Sequence, residues 1–134
     1  MSKYQIELNE EQLYLIAQCV EDIHRFMGGQ TELSNCTSSL DECRELRNKL
    51  RELQPLVTPD LPHNSSYGWS GSDCPNKHQR EIIAKTYPIY REIYHFFAVK
   101  NNQEYNVYHS DTLTCPEGGA PIKIKEITKE YKKK

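Results

Sequence analysis

The sequence lacks any apolar run approaching the roughly 18 residues that a membrane-spanning helix needs, so no helical span is expected. It also lacks a strong charge of either sign. Seventeen lysines and arginines stand against 19 acids, for a net charge of −2 at pH 7. That excludes the basic field of a protein that coats long nucleic acid. The opening MSKYQIELNEEQ holds no apolar stretch that could serve as a signal-peptide core, so export is not expected. There is no Cys-x-x-Cys, no phosphate loop, no dinucleotide fingerprint and no paired-histidine zinc motif. Neither a cofactor nor a resident metal is therefore expected. The five cysteines (Cys19, Cys36, Cys43, Cys74 and Cys115) are odd in number and cannot all pair within one chain. They predict a reducing cytoplasm and free, mostly packed thiols.

What is present is a polar chain of 134 residues, 37% apolar and 27% charged, whose 13 aromatics argue against disorder. This length predicts a single domain over residues 1–128, with a basic tail at 129–134 that ends in three lysines. Lys3 to Leu8 alternates Tyr4, Ile6 and Leu8 with polar residues, the period of a strand. Asn9 then caps a helix that carries Leu13, Ile16, Ala17, Val20, Ile23 and Met27 at helical spacing and stops at Gly28-Gly29. A second helix is expected from Ser38 or Ser39, where Ser39-Leu40-Asp41-Glu42 reads as a capping box. It carries a narrow stripe of Leu40, Cys43, Leu46, Leu50 and Leu53, with Pro55 and Pro59 as its stop. A third helix, about His78 to Val99, is apolar over much of its circumference and belongs at the centre, kinked or broken near Pro88. Short strands near Tyr105–His109 and Pro121–Ile127 would join the N-terminal one in a small sheet. The expected class is α+β, with about three helices.

The loop of residues 58–77 is rich in Pro, Gly, Ser and Asn, yet carries Tyr67 and the only tryptophan, Trp69. A long irregular segment in so small a domain predicts a functional loop. Asn64, Ser66, Tyr67 and Trp69 supply amide and hydroxyl groups beside two stacking surfaces. Arg25 and Gln30 flank the glycine end of the first helix. Arg80 opens the third helix together with His78, and Arg91 and His95 share one of its faces four residues apart. Aromatics for a base and guanidinium or imidazole for phosphate are the parts of a small nucleotide site. Bland alternatives stand beside each part. Tyr87, Tyr90 and Tyr94 fit a core, and Tyr67-Gly68-Trp69 fits a plug over it. Arg25 fits a solvated face, and Arg91 fits a partner for Glu92 or an acid of the first helix. Cys74 and His78 have a spacing that suits two metal ligands, but no second spaced pair completes a zinc site. No glycine-flanked nucleophile is present either, so catalysis is not expected.

Several short motifs carry a resemblance. Ile23-His24-Arg25-Phe26-Met27-Gly28-Gly29-Gln30, Asn64 to Trp69, Tyr90 to His95, Tyr105 to Tyr108 and Pro121 to Ile124 resemble a group of small uncharacterised bacteriophage proteins. More remotely, in size and site composition, the chain resembles phage counter-defence proteins that sequester cyclic-nucleotide or cyclic ADP-ribose immune signals. The resemblance implies a non-catalytic, cytoplasmic protein of an infected bacterial host that sequesters a small nucleotide. It also implies a homo-oligomer whose interface would be the leucine stripe of the second helix. The alternatives are an inhibitor that docks on a host protein through that stripe and the aromatic loop, and an enzyme that degrades the signal.

Overall fold

The computed structural model describes residues 1–110 and 114–127. Helix α1 spans Glu10–Gly28 and is fixed at both ends by local chemistry. The Asn9 side chain accepts from the Gln12 amide at 2.8 Å, and the Gln12 side chain accepts from the Asn9 amide at 2.9 Å. Glu10 and Glu11 stand in the first turn, where the helix dipole favours them. At the other end Gly29 closes the helix at φ +111°, a conformation that only glycine takes without strain. The short helix α2 (Ser34–Thr37), α3 (Cys43–Arg51) and α4 (Gln54–Val57) follow. The long α5 (Lys77–Lys100) is capped by Asn76, whose side chain accepts from the Gln79 amide. A 3-10 turn at Val107–His109 comes last.

Packing centres on α1 against α5. Ala17, Tyr90, Ile93 and Phe97 are buried between them, with Leu13, Ile16, Val20 and Phe96 closing the edges. The third expected helix is thus present, and it runs through Pro88 without a break. Pro88 has no amide to return to Ala84, so that carbonyl lacks its usual helical donor. The Gly118–Gly119 turn lies against this gap, where a Cβ on Gly119 would overlap the Ala84 oxygen.

The expected α+β class is not what the chain adopts. Among the described residues there is no strand and no sheet. Residues 3–8 take no regular structure, Tyr4 and Ile6 are 87% and 75% exposed, and no backbone bond joins residues 1–8 to 121–127. Ile122 and Ile124 do pack on the core, from an irregular segment without a ladder. Their alternation is satisfied by burial of one side alone. Near Tyr105–His109, turn chemistry overrides the period of two: the Asn106 side chain accepts from the Tyr108 amide at 2.7 Å and starts the 3-10 turn.

The second expected helix also moves. It starts at Cys43, with no side-chain cap, because Ser39 and its neighbours are spent in turns. Pro55 does not stop a helix but stands in the first turn of α4, where its missing amide costs nothing. The leucine stripe is only partly covered, with no residue of α3 buried, Cys43, Leu46 and Leu50 half-buried, and Leu40 and Leu53 exposed. Of the cysteines only Cys74 is buried, and Cys19 and Cys36 are exposed, against the expectation of mostly packed thiols. The basic tail at 129–134 lies outside the described residues. No helix among those described is long and apolar enough to cross a membrane.

Candidate functional site

The glycine end of α1, the loop after α4 and the middle of α5 converge on two clefts. One, of about 540 Å³, is polar; Glu21, Asp22, Glu32, Asn35, Arg51 and Asn64 are among its walls. The other, of about 460 Å³, is aromatic, with His24, Trp69, Tyr87, Tyr90, Arg91 and Tyr108 around it. Arg25, Gln30 and Ser66 line both, so the clefts meet at these residues. Each volume falls in the range of small-ligand sites.

The loop is held over the end of α1 by its own backbone and by glutamine side chains of α4 and α5. The Tyr67 amide donates to the Gly28 carbonyl at 2.8 Å, and Gln54 Nε2 donates to the Ser65 carbonyl at 3.2 Å. The Gln79 side-chain amide ties the Met27 and Val57 carbonyls together from α5. Trp69 is fixed through its backbone. Its carbonyl accepts from His24 Nε2 at 2.8 Å, while the residue stays 46% exposed, its ring beside Tyr87 with centroids 5.1 Å apart.

His24 organises the aromatic cleft. A carbonyl can only accept, so Nε2 carries the proton, and Nδ1 is left to accept from the Tyr90 hydroxyl at 3.3 Å. Burial pushes its pKa below the ordinary value; the Trp69 carbonyl acts the other way, and nearby Arg25 adds to the lowering. The imidazole is therefore neutral at pH 7. Tyr90 is raised by burial and remains a phenol. From Trp69 the rings continue through Tyr87, Tyr90 and Tyr94 to Tyr108, each pair 4.9 to 6.0 Å apart.

Arg25 is a positioned guanidinium at the junction. Its Nε donates to Glu21 at 3.0 Å and its NH1 donates to Gln30 at 2.9 Å, while 42% of the side chain stays accessible. Burial opposes its charge, but the bond to Glu21 and that carboxylate's charge outweigh it and raise the pKa. The other oxygen of Glu21 accepts from Tyr94 and Asn35, both at 2.9 Å. Asp22, buried, accepts the Asn35 and Cys36 amides at the start of α2. Across the polar cleft, Arg51 Nε donates to Glu32 at 2.9 Å. Burial raises the Glu32 carboxyl, but Arg51 prevails and holds it below the usual range.

Six of the nine residues expected at the site line these clefts: Arg25, Gln30, Asn64, Ser66, Trp69 and Arg91. Arg91 reaches the aromatic cleft as a staple. It is buried, lies 5.1 Å over the Tyr108 ring and donates to the Tyr108 and Ser110 carbonyls. Tyr67, Arg80 and His95 are turned to other work. The Tyr67 hydroxyl donates to Asp60, Arg80 donates to the Cys74 carbonyl at 2.6 Å, and His95 bonds the Tyr108 carbonyl at 2.8 Å. Cys74 is buried with its thiol on the Asn76 carbonyl, and His78 is exposed. Among the described residues no three His, Cys, Asp or Glu side chains gather as metal ligands.

Sequence reasoning missed His24, Glu21 and Tyr108. His24 falls seven residues after buried Ala17 on α1, so its place on the inner face was available as a signal. Tyr108 reaches the cleft only through tertiary packing. Neither a family model, nor a curated protein, nor a solved structure matches this chain.

Proposed function

We propose that the chain is a non-catalytic binding protein that sequesters a small nucleotide in the joined clefts. The observation that carries this reading is the meeting of an aromatic wall with the accessible, oriented guanidinium of Arg25. A base stacks against Trp69 and Tyr87, and a phosphoryl oxygen takes the N–H groups that Glu21, Gln30 and the neighbouring Tyr108 hydroxyl leave over on Arg25. Binding without turnover is supported by the state of the titratable groups. Both nitrogens of His24 are engaged, and both oxygens of Glu21 already accept hydrogen bonds. Neither is left as a general base. A role in sequestering a cyclic nucleotide or cyclic ADP-ribose signal during phage infection joins this chemistry to the resemblance described above.

Trp69, the sole tryptophan, makes the test direct, because its emission reports on this cleft alone. Titration with nucleosides, cyclic nucleotides and cyclic ADP-ribose should change that emission saturably. Native mass spectrometry should show the ligand retained, then released intact on heating. Flat titrations across the whole series, or release of a cleaved product, would overturn the reading.

A further inference from the structure

The joined clefts contain guanidiniums, yet their charges are already balanced. Arg25 is paired with Glu21 at 3.0 Å and Arg51 with Glu32 at 2.9 Å, and Asp22 adds a third carboxylate to the polar wall. Arg91 on the aromatic side brings the two linings to three guanidiniums against three carboxylates, and Arg47 stands just behind, bonded to Thr37 and the Ser34 carbonyl. The remaining arginines expected to meet phosphate are committed to carbonyls, Arg80 to Cys74 and Arg91 to Tyr108 and Ser110. A polyanion entering here would gain the two guanidiniums of Arg25 and Arg51, each already shared with a carboxylate, and face three carboxylates. The clefts thus hold no excess positive charge to reward each added phosphate, and solvent screens their carboxylates only in part.

The same wall suits uncharged polar groups. Glu32, held ionised by Arg51, is an acceptor for hydroxyl protons, and the Asn64 and Gln30 amides offer both donors and acceptors. We propose, resting on the nucleotide reading above, that the ligand carries no more than one negative charge. It is a nucleoside or a cyclic mononucleotide, with the base in the aromatic cleft, the single phosphoryl at Arg25 and the sugar hydroxyls toward the polar cleft. Of the two signal classes, this selects the cyclic mononucleotide over cyclic ADP-ribose, whose two phosphoryl groups each carry a charge.

The test is a matched series on the wild-type chain, read by Trp69 emission and by calorimetry. Adenosine and guanosine would be compared with their 3′,5′-cyclic monophosphates, 5′-diphosphates and 5′-triphosphates, and with cyclic ADP-ribose. The nucleoside and the cyclic monophosphate of one base should bind tightest. Affinity should fall by about tenfold or more from the cyclic monophosphate to the triphosphate, and less so at high salt. Arg25→Gln should weaken the cyclic monophosphate about tenfold and the nucleoside little. Glu32→Gln should narrow the gap between monophosphate and triphosphate. Affinity that rises with each added phosphate overturns this inference and leaves nucleotide binding standing. Absence of binding by every member overturns both.

Discussion

At the scale of single residues, His24 joins stability to the site. It sits neutral between the Trp69 carbonyl and the Tyr90 hydroxyl, with its pKa lowered chiefly by burial from an ordinary 6.5. In the unfolded chain the imidazole takes a proton near that ordinary value; in the folded chain it resists until lower pH. The unfolded state thus binds more protons in the window below 6.5. The stabilisation is complete above that pH and is lost as pH falls through the folded value. The melting temperature should therefore decline from pH 7 toward 5, and His24→Gln should flatten the part of the decline that His24 causes. Equal slopes in thermal melts of the two chains would refute this. For Trp69, stacking of one base on an aromatic ring is worth about 1–3 kcal/mol. Trp69→Ala should weaken ligand binding by roughly ten- to a hundredfold in calorimetry, and should lower the melting temperature of the free chain only modestly, since the residue is 46% exposed.

Among the elements, α1 and α5 carry the fold, and their ends are set by single contacts. Removing the Asn9 cap with Asn9→Ala should cost about 1 kcal/mol, seen as a lower urea midpoint with an unchanged slope. Gly119→Ala should cost more, about 1–3 kcal/mol, because the new methyl meets the Ala84 carbonyl that Pro88 leaves without a donor. A midpoint unmoved by Gly119→Ala would mean that the turn does not pack there in solution. These same features explain what could be read ahead of the structure. Asn9, Gly29, Asn76 and the apolar period are local signals, so both long helices were legible to within a residue or two. The sheet was not, because alternation in residues 3–8 and 121–127 states which side is apolar and says nothing about a partner. The cap at Ser39 failed for a related reason: hydroxyl residues satisfy turns as readily as helix ends. At the site, residue types were legible and commitments were not. Nothing local reveals that Arg80 and Arg91 spend their donors on carbonyls.

On the scale of the whole molecule, the clefts lie where three separately held parts meet: the α1–α5 pair, the loop anchored on Gly28, and the turn stapled by Arg91. Only the first has long helical ladders and a buried apolar interface. Loop and turn are held by a few bonds each, so they should open locally at lower free energy than the helices. Hydrogen exchange should rank the amides accordingly, slowest in α1 and α5 around Ala17 and Ile93, faster at Tyr67 and Tyr108, and fastest over residues 2–8. A ligand that bridges the clefts touches all three parts at once, and binds only when they are assembled. At a hundredfold excess over its dissociation constant it would add about 2.7 kcal/mol to stability. That gain should appear first where opening is easiest, as slowed exchange at Tyr67 and Tyr108, before the helices change. Protection confined to α1 and α5, or spread evenly over the chain, would place the ligand somewhere other than the junction at Arg25.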